Sequence, residues 1–149
     1  MMSIKPQRPA IPASVLIYGV LGLVPFLAPP LLGATIPALK PASGLVLTVY
    51  GGLILSFLGG ARWGLAIRSP SPSGLTVSIA MVPTLAGLAL LVGMPDHPAL
   101  LFLGLAGALA VHWLWDVGSD GLPPWYPALR TILTGGAVAG LLLGAAVLA

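Results

Sequence analysis

His112 and Asp116 stand four residues apart, one turn along the same face of a helix. At that spacing a carboxylate can orient an imidazole and raise its proton affinity, so the couple can relay a proton or hold a ligand. The plainer reading is that Asp116 ends its helix at an interface while His112 hydrogen-bonds to a neighbour. On sequence alone both stay open. Arg62 says more, because it lies six residues before Arg68 on a stretch that otherwise reads apolar, about 9 Å deeper along a helix. A guanidinium within a bilayer costs about 2.5–3.5 kcal/mol on insertion scales, and less when its long stem carries it to the head groups. Its presence therefore needs a reason. Either it pairs with Asp116 or Asp120, locking two helices and offering a site to a phosphate or carboxylate head group, or it is a snorkelling anchor. Trp63, Trp125, Tyr126 and Arg130 complete this candidate polar cluster.

Other chemistries are excluded by inventory. The chain has no Cys, two His, three Asp and no Glu; a zinc or di-iron centre needs three or four convergent ligands, and Asp96 and His97 fall on the opposite face. The motifs G-x-S-x-G, H-E-x-x-H and G-x-x-x-x-G-K-[ST] are missing, which removes the nucleophile elbow, the zinc protease helix and the phosphate-binding loop. Ser56 is a conceivable nucleophile, but a serine in a membrane helix more often bonds to its own backbone. The expectation is a non-enzymatic protein with no catalytic residue, cofactor or metal.

The elements that must position these groups follow from where charge is absent. Of 149 residues, 58% are hydrophobic and 6% charged, against about 25% charged in soluble domains. Such a chain cannot clothe a globule in polar groups, which excludes a soluble monomer, a disordered chain and a nucleic-acid reader. A membrane helix needs about 20 apolar residues, and five charge-free gaps reach 19 or more: 9–39, 41–61, 69–95, 97–115 and 131–149. Trimmed at Pro and Gly, they predict an all-α bundle of five transmembrane helices, roughly 13–32, 44–67, 75–93, 99–116 and 127–148. The connections are short and rich in Pro, Gly and Ser, so one domain is expected over 1–149, with no room for a soluble one. Pro25 predicts a kink in the first helix, Pro29-Pro30 an irregular end to it, and Pro83 a bend in the third. The first apolar run follows Lys5 and Arg8, as a cleaved signal would, but exceeds the usual ~7–15 residues and has no clear A-x-A site.

Cations set the orientation. Lys5, Arg8, Arg62, Arg68 and Arg130 fall on the amino-terminal face and Lys40 alone on the other, so the amino terminus is expected in the cytoplasm, or on the matrix side in an organelle, and the carboxy terminus across the membrane. Trp63, Trp113, Trp115 and Trp125 gather near the same face, as indoles do at an interface. The formal charge of +3 is spread along the chain and reads as a topology signal. Helix association in lipid relies on close backbone packing. Candidate seams are Gly60 with Gly64 on the second helix, and Gly136, Gly140 and Gly144 on the fifth, facing either the same chain or a second copy. An odd helix count disfavours a complete inverted-repeat transporter within one chain.

Two segments carry a resemblance. Tyr50-Gly-Gly-Leu-Ile-Leu-Ser-Phe-Leu-Gly-Gly-Ala-Arg-Trp-Gly64, and Asp116 followed by Leu122-Pro-Pro-Trp-Tyr-Pro-Ala-Leu-Arg-Thr-Ile-Leu-Thr134, resemble the signatures of a domain-of-unknown-function family of small bacterial inner-membrane proteins similar to mitochondrial transmembrane protein 69. The resemblance covers about 14–143 and implies a multi-helix inner-membrane protein without an established activity. The positions matching its pattern are Gly51, Ser56, Gly59, Gly60, Trp63, Gly64, Asp116, Pro124, Trp125, Tyr126, Leu129, Arg130 and Thr134. Pro127 departs from it where a basic or polar residue is implied, yet suits the first turn of a helix. The expected role is a structural lock that docks a lipid head group or a membrane-protein partner. The alternative is a small oligomeric transporter or channel coupled to protons through His112 and Asp116, and a lipid-modifying enzyme stands third. Expected partners are membrane lipids, a membrane protein or a second copy, with no nucleic acid.

Overall fold

Six α-helices form five apolar segments long enough to cross a membrane, in a computed structural model that describes residues 10–149. Helices α1 (Ala13–Leu21) and α2 (Val24–Thr35) together make the first segment; α3 (Lys40–Ala66) is preceded by a 3-10 turn (Pro37–Leu39), and α4 (Gly74–Gly93), α5 (Pro98–Val117) and α6 (Tyr126–Val147) follow. Lys5 and Arg8, which contribute to the cation count, lie outside the described residues.

The first segment differs from expectation in two ways. Its break falls at Gly22–Leu23 rather than at Pro25, which instead occupies the opening turn of α2, where a missing N–H costs nothing and the fixed φ is favourable. At the joint the Phe26 N–H turns to the Leu23 carbonyl at 3.0 Å, and the Gly22 carbonyl accepts from Tyr50 Oη at 2.9 Å. A half-buried backbone acceptor is thereby satisfied across helices. Pro29 and Pro30 do not end the helix either; they lie inside α2, which continues to Thr35. Pro30 cannot donate to the Phe26 carbonyl, and Gly140 of α6 packs directly on that oxygen, so closely that a Cβ there would collide with it. Such an approach permits a Cα–H···O contact to the freed acceptor. Pro83 likewise lies inside α4, against Gly59 of α3, and the neighbouring Thr84 hydroxyl meets Ser56 at 3.1 Å.

Helix α3 packs on α2 and α4, and α6 on α5 and α2. Between them α5 supplies much of the core, with Leu101, Phe102, Leu105 and Leu109 buried against Leu47, Leu55 and Leu141. The glycine seam of the fifth segment faces its own chain: Gly136 meets Leu23, Gly140 the Phe26 backbone, and Gly144 Leu47 and Phe102. Within the chain, the seam on α3 runs through Gly52 and Gly59 rather than Gly60 and Gly64. A Cβ at Gly60 or Gly64 would meet nothing within 4 Å, whereas one at Gly59 would lie 2.7 Å from the Ala80 carbonyl, and one at Gly52 would press on Leu91. The physical reason is register. Gly52 and Gly59 are two turns apart on the face that α4 covers, and Gly60 and Gly64 are rotated off it.

Candidate functional site

Three helices converge on Asp116. Arg62 sits in the last turns of α3, Asp116 at the end of α5, and Arg130 about one turn into α6. A short loop, with Gly121 at φ 78°, reverses the chain between α5 and α6 and brings Arg130 beside the carboxylate.

Asp116 is wholly buried, and its two oxygens are divided between two arginines. Arg62 Nε donates to Oδ1 at 2.7 Å and Arg130 Nε to Oδ2 at 2.5 Å. The same Arg62 reaches past the carboxylate to the end of α5: its Nη2 donates to the Trp115 carbonyl at 2.9 Å and to Ser119 Oγ at 2.7 Å, while Ser119 Oγ donates to that carbonyl at 2.6 Å. Carbonyls in a helix's final turn lack helical donors and carry the negative end of its dipole, so a guanidinium suits this position. The guanidinium also lies over the Trp115 ring, 4.6 Å from its centroid. Two positive groups thus share one negative one in a buried cluster, leaving one positive charge in excess.

His112 is buried one turn before Asp116, with Nδ1 3.3 Å from Oδ2, but neither ring nitrogen makes a well-formed hydrogen bond; its ring packs edge-on to Trp115 at 5.6 Å. The remaining cluster members are less engaged. Trp125 and Tyr126 are half-buried and stack edge-to-face at 6.1 Å, while Trp63 and Asp120 are exposed. Arg62 pairs with Asp116, not with Asp120. Among the described residues, no three His, Cys, Asp or Glu side chains group as a metal site would require.

Three participants escape the sequence argument. Ser119 and the Trp115 carbonyl are recognised only once Arg62 is seen to cap α5, although Ser119 lies three residues beyond Asp116. Thr134, one of the positions of the resemblance, is buried one turn beyond Arg130, and its hydroxyl and Arg130 Nη2 are buried without hydrogen-bond partners.

Cavities flank the lock. On the Arg62 side a polar cleft of about 640 Å³ is lined by Arg62, Arg68, Ser69, Thr76, Ser119 and Asp120. On the Arg130 side a mostly apolar cavity of about 240 Å³ runs between α1, α2, α3 and α6, with Leu109 of α5 also lining it.

Residues 11–146 match the model of a family described as protein of unknown function DUF3429. The chain belongs to that family. It is similar to transmembrane protein 69 of Xenopus tropicalis, 38% identical over 130 residues, and to that of Mus musculus, 31% identical over 127; each alignment covers 83% of the chain. They cover 50% and 51% of those relatives, so the chain spans about half their length. No solved structure matches it. This DUF3429 chain is a multi-pass membrane protein.

Proposed function

We propose that this DUF3429 protein is a non-enzymatic protein of the inner membrane, amino terminus in the cytoplasm, whose Arg62–Asp116–Arg130 lock closes the cytoplasmic end of the bundle and docks an anionic phospholipid head group. The observation that carries the reading is the excess of guanidinium over carboxylate in the buried cluster, next to a polar cleft lined by a further cation, Arg68, and by one carboxylate, Asp120. Arg62 and Arg68 supply charge, and Ser69, Thr76 and Ser119 supply hydroxyls suited to phosphate oxygens. The lock fixes Arg62 in place, so little side-chain freedom is lost on binding.

Mass spectrometry of the intact protein, released from its own membrane into gentle detergent, tests this. An anionic phospholipid should be retained, and Arg68→Ala should release it. Retention of zwitterionic and anionic lipids alike would contradict the reading.

A second reading, proton-coupled transport through His112 and Asp116, draws on one observation: His112 is buried beside Asp116 with its ring nitrogens poorly engaged. It requires His112→Gln to abolish proton-coupled flux in proteoliposomes at unchanged yield, and a wild-type protein that moves no proton under any gradient counts against it.

A further inference from the structure

The cavity on the Arg130 side is graded. Along α6 its wall runs from Arg130 through Leu133 and Thr134 to Ala137, polar at the membrane face and apolar further in; Leu58, Ile54 and Tyr50 of α3 line the facing wall in the same direction. Its volume, about 240 Å³, exceeds the roughly 150 Å³ of an apolar cavity able to take up benzene, which is room for a small head and the first several methylenes of a chain whose remainder stays among the lipids. Tyr18 and Phe57 also line it and are 76% and 69% exposed, which makes their side an opening toward the acyl chains.

Two residues of this wall carry a polar atom that is fully covered and without a partner, so a head group reaches these atoms only as the side chains covering them give way. Arg130 is 5% exposed and Thr134 7%; Arg130 Nη2 can only donate, and Thr134 Oγ1 can donate or accept. Arg130 lies about 6 Å into its helix, near the depth of the head-group boundary, and belongs to a cluster with one uncompensated positive charge.

We propose that this cavity binds a single-chain amphiphile with a carboxylate head, a long-chain fatty acid, entering laterally from the bilayer. The carboxylate oxygens accept from Arg130 Nη2 and Thr134 Oγ1 and neutralise the excess charge, and the acyl chain lies along the apolar wall toward Tyr50. Two acceptor oxygens match the two unpartnered donors once these are uncovered; a phosphate head would bring further oxygens into a wall that offers them nothing, at the cost of desolvating each. This site lies on the other side of the Asp116 carboxylate from the head-group cleft beside Arg62, and because both draw on the same single excess charge, an anion in one disfavours an anion in the other.

The test uses the full chain in phosphatidylcholine nanodiscs with a diazirine-bearing stearic acid, and maps the crosslinks by mass spectrometry. Crosslinks should concentrate on the peptides holding Tyr18, Phe57 and Leu133, and oleate should compete at least about tenfold better than oleyl alcohol or dodecyl phosphate. Arg130 also holds Asp116, so its removal would mix folding with binding. Thr134→Val spares the lock and keeps the shape, and should weaken oleate competition roughly fivefold, the loss of about one hydrogen bond. Crosslinks spread evenly over the lipid-facing helices, equal competition by the alcohol, better competition by the phosphate, or an unchanged Thr134→Val would each overturn the proposal.

Discussion

Arg62 on α3 donates from Nε to Asp116 Oδ1 on α5 at 2.7 Å, and this bond joins two helices at the end of the bundle where cations and tryptophans gather. Its partner oxygen is occupied by Arg130 of α6, so one carboxylate fastens three helices. The consequence is that the pair cannot be treated in isolation. Exchanging Arg62 for Asp and Asp116 for Arg sets the new arginine against Arg130, and the exchange should fail to restore the stability that either change removes.

The α6 seam gives a prediction of contrast between two glycines. Gly140→Ala drives a Cβ into the Phe26 carbonyl and should destabilise by about 1–3 kcal/mol, the range of overpacked cores. Gly60→Ala meets open space and should fall within about 0.5 kcal/mol of the parent. Reversible unfolding in mixed micelles with SDS reads both.

Tyr50→Phe removes the donor to the Gly22 carbonyl while leaving the ring in its edge-on contact with Phe26, centroids 5.1 Å apart. The loss should be about 1 kcal/mol and local. Hydrogen exchange should quicken at residues 22–27 and stay unchanged in α5.

Orientation is read by cysteine chemistry, since the chain has no cysteine of its own. Ser71→Cys, between α3 and α4, should react with an impermeant maleimide only after the cells are opened, and Pro95→Cys, between α4 and α5, in intact cells with a permeabilised outer layer. The reverse pattern would place the lock on the other side of the membrane.

How far the sequence could be read depended on the kind of physics each feature uses. The five spans were legible because a charge inside a bilayer is costly, so the spacing of nine charged residues marks the gaps. The convergence of Arg62, Asp116 and Arg130 was half legible: their depths match, but spacing along the chain cannot tell Asp116 from Asp120. That choice is made by the rotation of α5, which buries Asp116 and leaves Asp120 on the exposed loop. Proline misled, because Pro25 is harmless in an opening turn and Pro30 is tolerated where Gly140 covers the carbonyl it frees. The G-x-x-x-G spacing of Gly60 and Gly64 shows that two glycines share a face, and within the chain nothing packs on that face. The Arg130 and Thr134 cavity was illegible, since its walls come from α1, α2, α3, α5 and α6 and take shape only once those helices are packed.

The most direct test of the lock compares Asp116→Leu alone with the triple variant Arg62→Met, Asp116→Leu and Arg130→Met, by unfolding in mixed SDS micelles. Removing only the anion leaves two buried guanidinium groups unpaired and should cost about 3–5 kcal/mol, while an apolar triad of similar volume relieves that penalty. The triple variant should be clearly more stable than the single one. A triple variant as unstable as the single one, or less stable, would contradict the lock.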